Sequence, residues 1–94
     1  MAFVYILHSD QLDKYYIGSC LNLTERLTQH ANKTYNDSFT AGIDDWKLFL
    51  QIVDLSYNQA RGIEAHIKRM KSKTYIQNLL IYPDIILKLK AKYQ

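Results

Sequence analysis

Tyrosines gather near the start of the chain, in two short apolar runs that a polar connector separates. Tyr5 lies in FVYIL, and Tyr15 and Tyr16 open YYIG, close to a glycine and a cysteine. Tyrosine is one of the side chains that enzymes use to transfer protons. A catalytic site would explain this concentration of phenols, and so would two packed strands.

Three further residues have positions that do not suit a plain surface. Arg26 and His30 are four residues apart, so they share one face of a predicted helix. At about 100° per residue, Glu64 lies only about 40° from Ala60, at the edge of a predicted buried stripe. A carboxylate there needs a partner, because an unpaired buried charge is costly. Ordinary interpretations are equally simple: an i,i+4 pair of Glu64 with Lys68, a satisfied core histidine and a surface arginine.

The segments around the tyrosines and Arg26 predict a β-hairpin followed by a helix. AFVYILHS and YYIGSC are rich in aromatic and branched side chains, which favours strands, and the short connector predicts antiparallel pairing. In NLTERLTQHAN, Asn22 and Glu25 form a capping pattern at a helix start. The residues that then share the apolar face are Leu23, Leu27, His30 and Ala31.

The middle of the chain predicts a loop and a third strand. KTYNDSFTAGIDD has no clear period, so we expect a long exposed loop, of a kind that is often functional in small domains. WKLFLQIVDL is apolar on both faces. We therefore expect it to be the central strand of the sheet.

The C-terminal part predicts three helices. Ser56 with Gln59 is a capping pattern that opens the first of them. SKTYIQNLLIY predicts a second short helix, and Pro83 fits the first turn of a last one. The buried stripe of the first helix is predicted to be Ala60, Ile63, Ile67 and Met70. The fold class is therefore α+β, with a three-stranded, mainly antiparallel sheet flanked by helices in the order β-β-α-β-α-α-α.

Composition limits the classes of protein that remain. The 94 residues predict one domain, 1–94, and 48% of them are apolar, which supports a sizeable core. No apolar run approaches the roughly 20 residues that span a membrane, and the start predicts no signal peptide. A single cysteine, Cys20, excludes an internal disulfide and favours the cytoplasm. One cysteine and three scattered histidines are also a poor match to the ligand set of a zinc site.

Positive charge is concentrated in the C-terminal half. The chain has a net charge of +3, and from Arg61 to Lys92 it has eight basic residues against two acidic ones, Glu64 and Asp84. This distribution suggests an anionic partner, of which nucleic acid is the commonest. A solvated helix surface would give the same pattern.

The order and spacing of these residues resemble the GIY-YIG nuclease superfamily. FVY stands for the first half of the motif and YIG for the second, and NLTERLTQH matches Asn-Leu, then Arg, then His or Tyr four residues on. A glutamate follows in a later helix. DDWKLF and RGIEAHIKRMKSKTYIQNLL look like the small single-domain branch related to the nuclease module of bacterial excision repair. The resemblance covers about residues 2 to 81.

The resemblance implies a DNA endonuclease that hydrolyses phosphodiester bonds by a single-metal mechanism. Tyr16 is the implied general base, Tyr5 would bond the water or the phosphate, and His30 would relay the proton or orient Tyr16. Arg26 suits the charge that develops on phosphorus, because a planar guanidinium holds two oxygens. Glu64 suits Mg²⁺ or Mn²⁺, because a hard cation takes a carboxylate and waters.

The resemblance also implies substrate contacts, and some of them depart from the family pattern. Gly18 would leave room for a phosphate or a helix to approach the backbone. Ser19 stands where many relatives have a lysine, which removes one phosphate contact. Asn78 follows Glu64 at about the family's asparagine spacing, and it is equally an exposed helix residue. The full implied set is Gly18, Ser19, Lys68, Lys71, Lys73 and Asn78.

The expected partner is DNA, with RNA as the alternative nucleic acid, no membrane, and a protein partner as a source of specificity. The expected role is repair or recombination. The competing function is a non-catalytic nucleic-acid-binding module, which would have no use for Glu64 because a carboxylate repels phosphate. A protein-interaction domain would require a large exposed apolar patch, and the sequence shows no obvious one.

Overall fold

A computed structural model describes residues 1–31 and 45–94. The predicted exposed loop therefore lies outside the described residues, apart from Asp45 at its end. The element order confirms the predicted α+β class. The elements are β1 (Ala2–Ser9), β2 (Lys14–Cys20), α1 (Leu23–Ala31), β3 (Trp46–Leu55), α2 (Tyr57–Met70), α3 (Lys73–Ile81) and α4 (Pro83–Lys92).

The three strands form one antiparallel sheet in the order β2-β1-β3. The predicted hairpin of β1 and β2 is confirmed, with Tyr5 opposite Gly18 and Leu7 opposite Tyr16. The expectation that the third strand is central was wrong, because β1 lies between the other two. Apolar residues occur on both faces of β3, but one of them, Leu48, is 41% exposed.

The central strand β1 is buried on both faces, because different helices cover the two faces of the sheet. Val4 and Ile6 belong to the main core, which α2, α3 and α4 cover. Tyr5 and Leu7 point the other way and pack with Leu23 of α1. Alternation along the strand thus separates a larger core from a smaller aromatic one.

Both predicted cap patterns are present. Asn22 Oδ1 accepts from the Glu25 amide at 2.9 Å, so it caps α1. Ser56 and Gln59 form a reciprocal capping box at the start of α2, with bonds of 3.0 and 3.2 Å. Pro83 lies in the first turn of α4, as predicted.

The buried stripe of α2 is shorter than predicted. Ala60, Ile63 and Ile67 are buried, whereas Met70 is 44% exposed, so its assignment to the core was wrong. Met70 is the last residue of α2, and Lys71 follows with a left-handed φ of 48°, so the chain turns away there. Within the described residues, no helix is long and apolar enough to cross a membrane.

The C-terminal end packs back onto α2 through Tyr93. A side chain on Gly62 would place its Cβ 2.7 Å from Cδ1 of Tyr93, so the ring would have to shift to admit one. The Tyr93 hydroxyl lies 2.9 Å from Nδ1 of His66 and accepts from Arg69 at 3.2 Å. These contacts hold the helix that carries Glu64 against the end of the chain.

Candidate active site

Tyr5, Gly18 and Arg26 form one contact group on the α1 face of the sheet. Tyr5 is fully buried, and a Cβ on Gly18 would lie 2.5 Å from the Tyr5 hydroxyl oxygen. Arg26 Nη1 donates to that oxygen at 3.3 Å. The space beside Gly18 is therefore filled by the phenol of Tyr5, and is not left open for a phosphate or a helix as the sequence suggested.

Tyr16 lies on the same face, diagonally across the hairpin from Tyr5. The two ring centroids are 6.3 Å apart and the rings are tilted by 29°. Trp46, at the start of β3, meets Tyr16 edge-on with centroids 6.4 Å apart. Tyr15 points to the opposite face and packs against Phe49, with centroids 5.1 Å apart, as alternation predicts. The diagonal pairing brings two phenols together as the opening motif suggested.

Glu64 has two hydrogen-bonded partners, which confirms that a carboxylate at this position needs them. Its side chain is 16% exposed. Ser19 donates from Oγ to Oε1 at 2.5 Å, and Lys68 pairs with Oε2 at 2.8 Å. The resemblance placed Ser19 among the substrate contacts, where many relatives have a lysine, and in the structure its hydroxyl bonds the Glu64 carboxylate. Strand alternation, which places Ser19 on the α2 face with Ile17, was the signal for this contact.

A cleft of about 370 Å³ lies where α1, α2 and the end of β2 meet. Ser19 and Cys20 line it from β2, and Arg26 lines it from α1. Burial raises the pKa of the Cys20 thiol, which therefore stays neutral. Arg61 faces the same cleft from α2. The cleft thus adjoins both the Tyr5–Arg26 group on one face and the Ser19–Glu64 group on the other.

Basic side chains surround a second groove, of about 240 Å³, on the other side of Glu64 along β2. Lys68, Lys71 and Lys73 line it, as does Lys14, which sequence reasoning missed. Lys73 also pairs with Asp13 at 3.0 Å. The hydrogen bond from Lys73 is the main cause that lowers the pKa of Asp13, followed by the one from His8. The lysines are thus grouped, but Lys68 and Lys73 already have anionic partners, Glu64 and Asp13.

Two predicted site residues are not joined to these groups by the described contacts. Asn78 lies in α3, half-buried, and lines neither cleft. Its backbone carbonyl accepts from the Tyr82 amide at 2.8 Å, an ordinary helix-end bond. His30 lies in α1 one turn after Arg26, and its side chain is outside the described part of the structure.

The donor set fits a small hard cation bound mostly by water. Among the described residues, no group of three or more His, Cys, Asp or Glu side chains gathers as a metal cage. Mg²⁺ commonly keeps several waters and takes one or two carboxylates together with phosphate oxygens. Glu64, fixed by Ser19 and close to the cleft, can supply one such oxygen.

In this α+β domain, Arg26 lines the cleft and bonds to Tyr5, which packs beside Tyr16. Glu64 bonds to Ser19, which lines the same cleft. The family model of the GIY-YIG catalytic domain matches residues 1–77, so the chain belongs to the GIY-YIG family. This family consists of endonucleases that generally depend on a divalent metal, which supports a nuclease with a nucleic-acid substrate. No curated protein and no solved structure gave a significant match.

Proposed function

We propose that this chain is a metal-dependent DNA endonuclease that acts as a single domain on a DNA structure in repair or recombination. The observation that carries the proposal is the fixed Glu64 carboxylate, which is bonded to Ser19 in the lining of a cleft that Arg26 also lines. A relation to the excision-repair nuclease module stays a prediction from the motif.

In the proposed reaction, the phosphodiester lies between the two groups of side chains. Arg26 holds two non-bridging oxygens and stabilises the charge that develops on phosphorus. Tyr5, which was expected to bond the water or the phosphate, is fully buried and accepts from Arg26, so the role proposed for it here is to aim the guanidinium. Tyr16, the less buried of the two tyrosines, would take the proton from the attacking water as its phenolate. His30, one turn beyond Arg26, is proposed to orient Tyr16 or to relay that proton.

Glu64 would hold Mg²⁺ or Mn²⁺ through one carboxylate oxygen. Such an ion supplies Lewis-acid stabilisation of phosphate oxygens when it is bound. Ser19 keeps the carboxylate oriented, whereas Lys68 occupies its other oxygen and must yield or share it. Lys71 and Lys73 remain proposed substrate contacts in the groove along β2. Asn78, in α3, stays a proposed contact from the motif alone.

One observation favours the competing function, a binding module without catalysis. Lys68 neutralises Glu64 at 2.8 Å, so this carboxylate repels a phosphate less than an unpaired one would. The basic groove along β2 would serve such a module equally well. The two functions therefore differ in what happens to the phosphodiester, not in whether nucleic acid binds.

The test is a cleavage assay on branched, nicked, flapped and single-stranded DNA, with and without Mg²⁺. Wild-type protein should cut at least one of them only with metal. Glu64→Gln should abolish cutting while binding stays equal or tightens, because a negative charge near phosphate is removed. Asp84→Asn on α4 is the matched carboxamide control and should cut normally. Wild-type rates from Glu64→Gln would show that the site is wrong, and binding without any cutting would favour the binding module.

A further inference from the structure

Helix α2 forms one wall of the cleft beside Ser19. The proposed reaction assigns no role to the residues of this wall. Tyr57 and Arg61 line this wall, with the small side chain of Ala60 between them in sequence. Tyr57 is 53% exposed, so its ring contributes little to the core. Arg26 lines the facing wall from α1. An exposed aromatic ring and a second arginine therefore face the guanidinium proposed to hold the reacting phosphate.

Tyr57 and Arg61 are paired with each other. Arg61 Nη1 donates to the Tyr57 hydroxyl at 3.4 Å, and the guanidinium carbon lies 5.8 Å from the ring centroid. Such cation–π pairs hold both side chains in a defined arrangement. The pair thus presents an aromatic surface together with a positive charge. Bases stack on aromatic rings and on arginine planes, and arginine pairs with phosphates.

The cleft has a size and charge suited to one nucleotide. Its volume of about 370 Å³ lies within the range of small-molecule sites, roughly 300–1,000 Å³. Arg26 and Arg61 contribute two positive charges, and Glu25 is the one carboxylate among the described residues that line the cleft. The excess positive charge favours an anionic ligand, and Glu25 reduces that preference without reversing it.

We propose that this cleft binds one unpaired nucleotide of the substrate strand, next to the phosphate held by Arg26. The base stacks on the Tyr57–Arg61 pair, and Arg61 contacts the phosphate of that nucleotide. This inference rests on the proposed nuclease function and narrows its substrate. A base within a duplex has both faces stacked on its neighbours, so only a single-stranded or frayed nucleotide can enter. The favoured substrate therefore has unpaired bases at the cleavage point.

Binding without metal tests this subsite separately from catalysis. The probes are a short fluorescent strand of thymidines and an abasic strand of the same length and charge. In the Glu64→Gln background, Tyr57→Ala should weaken thymidine binding by about 10-fold, because base–aromatic stacking is lost. The same change should barely affect the abasic strand. Tyr57→Phe should keep the affinity, since its ring can still stack. Tyr82→Ala removes a tyrosine that is 57% exposed at the α3–α4 junction, and it is the matched control.

Arg61→Ala supplies the second readout. It should flatten the salt dependence of single-strand binding by about 0.7 log units per log unit of salt, the value for one phosphate contact. Lys88→Ala on α4 is the matched charge control. The subsite is wrong if Tyr57→Ala leaves thymidine binding unchanged, or if it weakens the abasic strand equally. If the wild type binds as expected but never cuts DNA, the nuclease proposal fails while the subsite stands.

Discussion

Arg26 is the residue whose contacts best separate catalysis from binding. Its guanidinium is held by the buried Tyr5 hydroxyl at 3.3 Å, so it is already aimed before substrate arrives. We expect Arg26→Ala to lower turnover by about 10²- to 10³-fold, the usual cost of one lost transition-state contact. Arg26→Lys should recover only part of this, because an ammonium cannot form the planar fork. Single-turnover rates and binding titrations, measured side by side, check the prediction. A loss confined to binding would reduce Arg26 to a positioning contact.

Ser19 gives a second prediction at this scale, and it concerns metal affinity. The Ser19 hydroxyl fixes one oxygen of Glu64, and residues that orient a metal ligand commonly affect affinity by about 10- to 100-fold. Ser19→Ala should therefore raise the Mg²⁺ concentration needed for half-maximal cutting, with the maximal rate largely restored at saturation. Ser19→Thr keeps the hydroxyl and should behave like the wild type. An unchanged Mg²⁺ titration for Ser19→Ala would contradict this role.

The candidate site residues can be named from the motif, but several of their contacts cannot be predicted from it. The spacing of Tyr16, Arg26 and Glu64 can be read directly from the sequence. The contact that Gly18 makes cannot, because it depends on which residue of β1 lies opposite Gly18. The hairpin register makes that residue Tyr5, whose ring then takes the space. Likewise, Ser19 contacts Glu64 only because α2 packs against β2. This packing is tertiary structure, which the local sequence does not specify.

At the scale of elements, the packing of the chain's end on α2 predicts a pH dependence of stability. Burial is the first cause that lowers the pKa of His66, and the positive charges of Lys92 and Arg69 lower it further. Because Arg69 donates to the Tyr93 hydroxyl, that hydroxyl can donate to Nδ1 of a neutral His66. After protonation of Nδ1, the hydroxyl would have to turn its proton away and accept from both His66 and Arg69.

The sign of this dependence follows from linkage. The folded pKa of His66 lies below its unfolded value of 6.5, so the unfolded chain binds more protons between them. The stabilising contribution is fully present above the unfolded pKa and is lost as the pH falls through and below it. We expect urea unfolding to show falling stability from about pH 7 to pH 5. His66→Asn should flatten that slope, because it removes the titrating group. Tyr93→Phe is the control: it removes the same hydrogen bond and keeps the titrating group. An unchanged slope for His66→Asn would be contrary to this account.

The type of each element was predictable from the sequence, but the position of β3 in the sheet was not. Caps at Asn22 and Ser56 act within a few residues, so local sequence was sufficient to place the starts of α1 and α2. The position of β3 depends on competition among strands for the centre of the sheet. Its two-sided apolar character suggested a central position, but β1 is more completely buried on both faces. The assignment of Met70 to the core was wrong for a similar reason. Helical periodicity shows on which face of α2 Met70 lies, but it does not show where the helix ends and the chain turns away.

At the scale of the whole molecule, the basic groove along β2 predicts how nucleic-acid binding responds to salt. Lys71 and Lys73 both line this groove, but Lys73 is paired with Asp13. On duplex DNA, Lys71→Ala should flatten the salt slope by about 0.9, the value for one neutralised phosphate. Lys73→Ala should flatten it less, because part of its charge is already used. Asp13→Asn should tighten binding by releasing Lys73, although it also removes a partner of His8.

Anisotropy titrations over a range of salt concentrations, on two unrelated sequences, check this. All sequences should weaken alike, because phosphate contacts carry no base information. A salt-independent affinity, or a strong preference for one sequence, would mean that the groove is an ordinary solvated face. Recognition would then have to come from elsewhere in the chain.

The close approach of Tyr5 to Gly18 also has an evolutionary consequence. Any side chain at position 18 would collide with the aromatic ring at position 5, since a Cβ would lie 2.6 Å from Cζ of that ring. We therefore expect the two positions to vary together, because a larger residue at position 18 would need a smaller or displaced ring at position 5. Displacing that ring would also disturb the hydrogen bond that Tyr5 accepts from Arg26. The glycine of the motif is in this sense the steric companion of a tyrosine on the neighbouring strand.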